Sequence, residues 1–292
     1  MSAQSLISRC ASLALRGVAY LRHRLQMAAT PTVGAIYVSD TGRQWRRRRA
    51  AARPQAIWPG LRVAIVAHVY YPELMDEILA CRQLLPLGTP LHVTLPPDHA
   101  SSVRAALVSQ EAIIVHECEN RGRDIAPFLT LLSSGVLDGY DAVLKLHTKR
   151  SPHLRDGDIR RKLLFDRLCG EWNSVCRIVT AFEQPTTGLV GWGQTWRATP
   201  SYWMANEVRV AGLAARMGAS REAMRLGFFE GSMFWFRPAA LAALRELSLR
   251  PGDFEPEERQ LDATLHHAVE RCFTISAWAS GYRVLDLQGR AL

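Results

Sequence analysis

Residues 120–151 read Asn-Arg-Gly-Arg-Asp-Ile-Ala-Pro-Phe-Leu-Thr-Leu-Leu-Ser-Ser-Gly-Val-Leu-Asp-Gly-Tyr-Asp-Ala-Val-Leu-Lys-Leu-His-Thr-Lys-Arg-Ser. A loop crowded with charge opens an apolar segment with the character of a helix, over 125–134, and Gly135 follows. Residues 141–147 then read as a strand that ends in His147, Thr148, Lys149 and Arg150. In an alternating α/β chain, ligands bind where strands end and helices begin. Donors exposed there suit an anion such as a diphosphate.

Outward from this stretch the alternation continues. Arg62 to Ala67 is a β-branched apolar run, the signature of a buried strand. Pro72 and Glu73 open a helix through Leu85, since proline suits a first helical turn. Strands are expected over 91–95, 112–115, 188–191, 231–236, 273–278 and 283–287. Helices are expected over 98–108, 157–183, 200–217, 260–272 and after Pro238. Strand and helix in turn predict a mainly parallel α/β sheet covered on both faces.

The chain has 292 residues, 48% of them hydrophobic and 22% charged, which suits a sizeable core and excludes wholesale disorder. No run of about 18 uncharged apolar residues predicts a membrane-spanning helix. The cysteines at 10, 81, 118, 169, 176 and 272 form no Cys-x-x-Cys pair. They suggest neither zinc nor a disulfide framework and read as buried free thiols. The formal net charge of +9 is confined to residues 1–56, which hold ten arginines and a single acid, Asp40. The rest is charge-balanced, so its surface is not that of a nucleic-acid-binding domain.

Within the basic segment, Leu6, Cys10, Leu13, Ala14, Val18, Leu21 and Leu25 recur at helical spacing, with Arg9, Arg16 and His23 on another face. This suggests a helix over 5–27 that lies on an anionic membrane surface or docks on its own domain, or else a poorly ordered extension. Residues 39–56, with Arg46 to Arg49 in a row, read as a solvated tether. The expected division is a basic N-terminal helix and linker over 1–56 and an α/β domain over 57–292.

Several chemistries lose their support. There is no Gly-x-Gly-x-x-Gly after the first strand, no Gly-Lys-Ser/Thr phosphate loop and no Gly-x-Ser-x-Gly elbow. What stands out instead lies at strand ends. His68 and Tyr70 suit stacking on a base or a sugar ring, or packing against the next helix. Asn120, Arg121, Gly122, Arg123 and Asp124 set two guanidiniums about a glycine. Arginine binds phosphate with two parallel hydrogen bonds. Gly122 allows unusual backbone angles. Asp124 either caps the helix, holds an arginine or meets a sugar hydroxyl. If Lys145, His147 and Lys149 share one strand face, three cationic or titratable groups converge. Burying them without an anion would be costly, which favours a phosphate site.

Five segments carry a family resemblance: His68-Val-Tyr-Tyr-Pro, Glu119-Asn-Arg-Gly-Arg-Asp-Ile-Ala-Pro-Phe-Leu, Lys145-Leu-His-Thr-Lys-Arg-Ser, Gly231-Ser-Met-Phe-Trp-Phe-Arg-Pro and Asp262-Ala-Thr-Leu-His-His-Ala-Val-Glu-Arg. Together they resemble the rhamnan synthesis protein F family of bacterial polysaccharide glycosyltransferases, over about residues 60–275. Phe229-Glu230 stands where the family pattern has Pro-Ala, and Gly191-Trp192 where it has Gly-Pro. The resemblance implies a GT-A-like, Rossmann-type mixed sheet. It implies transfer of a sugar, rhamnose or another deoxysugar, from a nucleotide-sugar donor to a polysaccharide or lipid-linked glycan. Free thiols suit work in the cytoplasm, and the basic segment 1–56, which lies outside the resemblance, would bring the chain peripherally to the inner face of the membrane; no nucleic acid is expected. An acid late in the chain would deprotonate the acceptor, the candidates being Glu257, Glu258 and Asp262, with Asp262 first and Glu258 second. Asp262 and His266, four apart, would share a helix face. Gly231 and Ser232 would let the chain approach the acceptor. The comparable strand lacks Asp-x-Asp, so Lys145, Lys149, Arg121 and Arg123 are expected to replace a metal's charge. A divalent cation (Mg²⁺ or Mn²⁺) is the open alternative. Asp156-Gly157-Asp158 is expected to cap a helix rather than bind metal. A non-catalytic nucleotide- or sugar-binding subunit of a synthase complex is the competing reading.

Overall fold

The computed structural model describes residues 34–51, 54–148, 150, 156–258, 260 and 262–292. The helix expected over 5–27 lies outside the described residues. The strands are β1 (Val63–His68), β2 (Leu91–Leu95), β3 (Ile113–Glu117), β4 (Ala142–His147), β5 (Thr187–Gly191), β6 (Trp196–Arg197), β7 (Phe228–Phe229), β8 (Phe234–Phe236) and β9 (Arg283–Asp286). Seven of them form one sheet in the order β3-β2-β1-β4-β8-β5-β9, and β6 with β7 makes a separate two-stranded antiparallel pair. All seven run parallel except β8, which is antiparallel to both β4 and β5. The expected Rossmann-type mixed sheet covered by helices is what the chain builds.

The α-helices are α1 (Asp40–Ala51), α2 (Met75–Arg82), α3 (Ala100–Leu107), α4 (Ile125–Ser134), α5 (Gly157–Cys169), α6 (Trp172–Thr180), α7 (Glu207–Arg216), α8 (Ala242–Glu246) and α9 (Leu265–Ala279). The period of two along each strand sorts its side chains into two apolar layers. On β1, Val63, Ile65 and Ala67 pack with α2, α3, α5 and α6, while Ala64 and Val66 pack with α4, α7, α8 and α9. On β8, Phe234 and Phe236 join the second layer and Trp235 the first. Because both faces are covered, the central strands are largely apolar rather than alternating, with Lys145 of β4 the charged exception.

Strand order fixes where a ligand would meet this sheet. The chain lays β2 and β3 on one side of β1, then returns to place β4 on the other. The crevice at the carboxyl ends of β1 and β4 is therefore the topological switch point. His68 and His147 are register partners there.

Five expectations need correction. Residues 273–278, expected as a strand, continue α9, whose residues are buried nearly all round. A short apolar run without one-sided periodicity does not separate a core helix from a strand. The long helix expected over 157–183 is two helices. Glu171 starts the second one, its carboxylate accepting from the Asn173 and Ser174 amides. The strand expected from Gly231 begins at Phe234, because Gly231 (φ 92°) and Ser232 (φ 51°) are left-handed. The tether expected over 39–56 is largely helix α1, and its Arg46 pairs with Asp166 of α5 at 2.5 Å. The cysteine expectation also changes: Cys81 and Cys169 are joined in a disulfide between α2 and α5, while Cys118, Cys176 and Cys272 are free.

Trp235 sits fully buried mid-sheet, and its indole N–H donates to the Leu168 carbonyl at 3.0 Å. Trp235→Ala is expected to lower the free energy of unfolding by about 3–5 kcal/mol. Urea denaturation checks this, and a loss below about 1 kcal/mol would show that the sheet does not depend on this contact.

Candidate functional site

On β4, Lys145 and His147 alternate onto the face that α4 and α9 cover, as the period of two requires. Lys145 is 1% exposed, with its ammonium 5.2 Å from the Phe128 ring and 5.7 Å from the Phe273 ring. A lone ammonium in such a layer would cost several kcal/mol. Asp124 supplies the opposite charge. Its Oδ2 lies 2.5 Å from Lys145 Nζ and 3.0 Å from His147 Nδ1. Lys145 also donates to the Ser232 carbonyl at 3.0 Å.

Asp124 thus does not cap α4: it occupies the N-cap position, but its side chain makes no capping bond. Burial pushes its carboxyl up, yet the imidazole of His147 and the ammonium of Lys145 outweigh this and hold it well below the usual carboxylate range. Nor is Lys145 an exposed phosphate ligand, since its charge is met inside the protein.

The neighbouring strands extend the polar set. His68 is buried, and its Nδ1 lies 3.0 Å from Thr94 Oγ1. Thr94 is the register partner of both His68 and His116, so β3, β2, β1 and β4 carry the row His116, Thr94, His68, His147. Burial pushes the His68 imidazole down to about 4. Asp124 opposes this shift, while His147 and Lys145 add to it. The Thr148 hydroxyl accepts from both the Tyr70 and Tyr71 amides at 2.9 Å, which stitches the end of β1 to the end of β4. Tyr70 stands exposed at this mouth, edge-on to His99 at 5.6 Å.

The Asn120–Asp124 loop is clamped rather than open. Gly122 (φ 63°) and Arg123 (φ 54°) are consecutive left-handed residues. A Cβ at Gly122 would lie 2.6 Å from the Phe254 ring and 2.7 Å from Ala126 Cβ, so only glycine fits. Arg121 donates to the Phe254 carbonyl at 3.3 Å. Arg123 makes a two-pronged pair with Glu257 at 3.1 and 3.2 Å and donates to the Gln260 carbonyl at 2.6 Å. Both guanidiniums expected on a diphosphate therefore engage the 254–260 segment. Asn120 is exposed at the loop's start. Lys149 lies outside the described residues.

Gly231 and Ser232 reach the same edge, at the amino end of β8. Glu270 of α9 holds them: its Oε1 accepts from the Gly231 amide and the Ser232 hydroxyl, each at 3.0 Å. Asp262 and His266 do not pair as expected. Asp262 precedes α9, and its oxygens accept from the Asn206 side chain at 2.5 Å and the Ala205 amide at 3.0 Å. Burial raises its pKa, but these donors outweigh that and leave it lowered. His266 Nδ1 bonds Thr264 Oγ1 at 2.9 Å, and its ring lies 4.1 Å from that of His267. Burial, with Arg123 nearby, pushes His266 down to about 4. Glu258 is exposed on the 254–260 segment.

Asp156 and Asp158 are not side-chain caps but ion-pair with Arg160 and Arg161, each at 2.6 Å. Among the described residues no three His, Cys, Asp or Glu side chains converge as a metal-binding set. An open cleft of about 560 Å³ lined by Thr130, Ser133, Arg245 and Arg250 lies toward the other end of α4 and is separate from this constellation.

Fold and site define a Rossmann-type α/β protein with a buried charged cluster at its switch point. The family model for rhamnan synthesis protein F matches residues 46–282. The uncharacterized protein WxcX of Xanthomonas campestris pv. campestris, in strain B100 and in a second strain, is 33% identical over 228 residues, which is 77% of this chain. The chain belongs to the rhamnan synthesis protein F family, and membership ties it to rhamnan or polysaccharide synthesis. It spans about a third of the length of these curated relatives, the match covering 32% of them.

Sequence reading missed Thr94, His116 and Glu270 as members of this edge. Only strand register and helix packing bring them there.

The depressed pKa values set a pH dependence. His68, His266 and His267 stay neutral in the fold down to about 4, whereas an unfolded histidine titrates near 6.5. Between these values the unfolded state binds more protons, so stability is complete above about pH 6.5 and falls toward pH 4. For His68 the loss is on the order of 3 kcal/mol. Denaturant unfolding from pH 7.5 to 4 is expected to show the decline, shallower in His68→Gln. An identical slope in that variant would contradict the buried neutral imidazole.

Proposed function

We propose that the chain is a glycosyltransferase with a GT-A-like fold. It would move a sugar, rhamnose or another deoxysugar, from a nucleotide-diphosphate donor to a polysaccharide or lipid-linked glycan, working in the cytoplasm. The observation that carries this reading is the Asp124–Lys145–His147 cluster at the switch point of a chain in a polysaccharide-synthesis family. The crevice between β1 and β4 would take the donor, with exposed Tyr70 and His99 offering a stacking edge to its base.

Transfer to an acceptor hydroxyl requires a group that takes its proton. His147 would serve this role, its Nδ1 lying 3.0 Å from Asp124 Oδ2 at the switch-point edge. Of the two carboxylates that the family resemblance brings forward, Glu258 is the better placed, since both oxygens of Asp262 are engaged with residues 205 and 206. Gly231 and Ser232 would lie against the acceptor. Glu230, ion-paired to Arg197 at 2.5 Å, would add a carboxylate to that side.

One observation favours the non-catalytic reading. Arg121, Arg123 and Lys145 all meet partners within the protein, so the charge expected for a diphosphate is already engaged. Calorimetric titration with nucleoside diphosphates and nucleotide sugars, with chelator and with Mg²⁺ or Mn²⁺, separates the cases. A donor at a hundred times its dissociation constant is expected to stabilise the fold by about 2.7 kcal/mol. His147→Ala is expected to reduce sugar release by two or more orders of magnitude while donor binding persists. Donor binding without turnover, or absence of donor binding under every condition, would sink the transferase reading and favour the accessory subunit.

A further inference from the structure

Helix α1 carries a surface that the sheet and its site leave unused. Ser39 starts the helix, its hydroxyl accepting from the Gly42 amide at 3.1 Å. Arg46 faces inward. It donates to the Tyr37 carbonyl, pairs with Asp166 at 2.5 Å and stacks on the Tyr37 ring at 3.8 Å. Arg167 lies 4.5 Å from the same ring and 5.8 Å from that of Trp192, which follows β5 directly. The helix is therefore seated toward the carboxyl edge of the sheet, the edge that holds His68, Asp124 and His147.

Its outward face is basic and aromatic. Arg43, Gln44, Trp45, Arg48 and Arg49 are exposed, with Trp45 at 57% and the nearby Ile36 at 67%. The Arg49 guanidinium lies 5.1 Å from the Trp45 ring. Asp40 is the single acid among residues 1–56. Guanidiniums that bind phosphate, beside a tryptophan and an isoleucine that are costly to leave in water, match the headgroup layer of an anionic bilayer. The sequence before the helix points the same way. Leu6, Leu13, Val18, Leu21 and Leu25 recur at helical spacing among arginines, and an apolar stripe suits acyl chains rather than a nucleic-acid backbone. No described helix is long and apolar enough to cross a membrane, so contact through this face would be peripheral.

We infer that the exposed face of α1 docks the protein on an anionic lipid surface, with the carboxyl edge of the sheet turned toward that surface. This goes beyond the transfer reading and stands without it, because its test contains no nucleotide sugar.

The test is co-sedimentation of the full chain with phosphatidylcholine vesicles, with and without phosphatidylglycerol, at low and high salt. Binding is expected only to the anionic vesicles and is expected to weaken with salt. Replacing Arg48 and Arg49 together by Gln should lower the partition coefficient on the order of thirtyfold. Trp45→Ala should lower it several-fold, and since these side chains are exposed, both variants should melt as the parent does. Equal binding to neutral vesicles, unchanged binding of the double variant, or no vesicle binding would each overturn the inference. Capture of a single-stranded RNA oligonucleotide without vesicle binding would do so in favour of nucleic acid.

Discussion

An ammonium group sits where the sheet should be apolar, and the carboxyl edge is arranged around it. Lys145 occupies a β4 position flanked by Val143 and opposite Phe234, under the rings of Phe128 and Phe273. Removing one partner of such a buried pair leaves an uncompensated charge, at about 3–5 kcal/mol. Asp124 must therefore turn inward, which costs α4 its side-chain cap and fixes how the 120–124 loop enters the helix. The Ser232 carbonyl must also point at Lys145, which brings the left-handed Gly231–Ser232 turn over β4. Three segments distant in sequence are thus positioned by one charge.

The surrounding clamps follow from that placement. With Asp124 turned in, Gly122 and Arg123 take left-handed angles, and the loop closes on Phe254 and Glu257. Glu270 fastens the turn before β8, and Thr148 fastens the end of β1. The result is an edge whose polar groups are held before any ligand arrives, the condition under which hydrogen bonds and charges act most strongly on a reacting group. His147 is the clearest case, its ring oriented by a carboxylate that Lys145 keeps ionised.

Much of this was legible in the sequence. The β-branched runs placed β1, β2 and β4 within a residue or two, and the charged loop after β3 marked the edge where the cluster stands. The alternation of Lys145 and His147 predicted their shared face. What failed was the assignment of partners. Asp124 three residues after Arg121 and one after Arg123 reads as a cap or an arginine partner, while Lys145 is 21 residues away and reaches it only through the fold. The arginines looked exposed because Glu257 is far along the chain. Residues 273–278 misled because a helix buried on every side carries no one-sided stripe.

The claim that this pair organises the site is tested most directly by a double-mutant cycle, with unfolding free energies measured for Asp124→Asn, Lys145→Met and the two together. Each single change is expected to cost about 3–5 kcal/mol, and the double change little more than either alone, which gives a large favourable coupling. Single costs below about 1 kcal/mol that simply add would contradict it, and would reduce the pair to a bystander at the edge of the sheet.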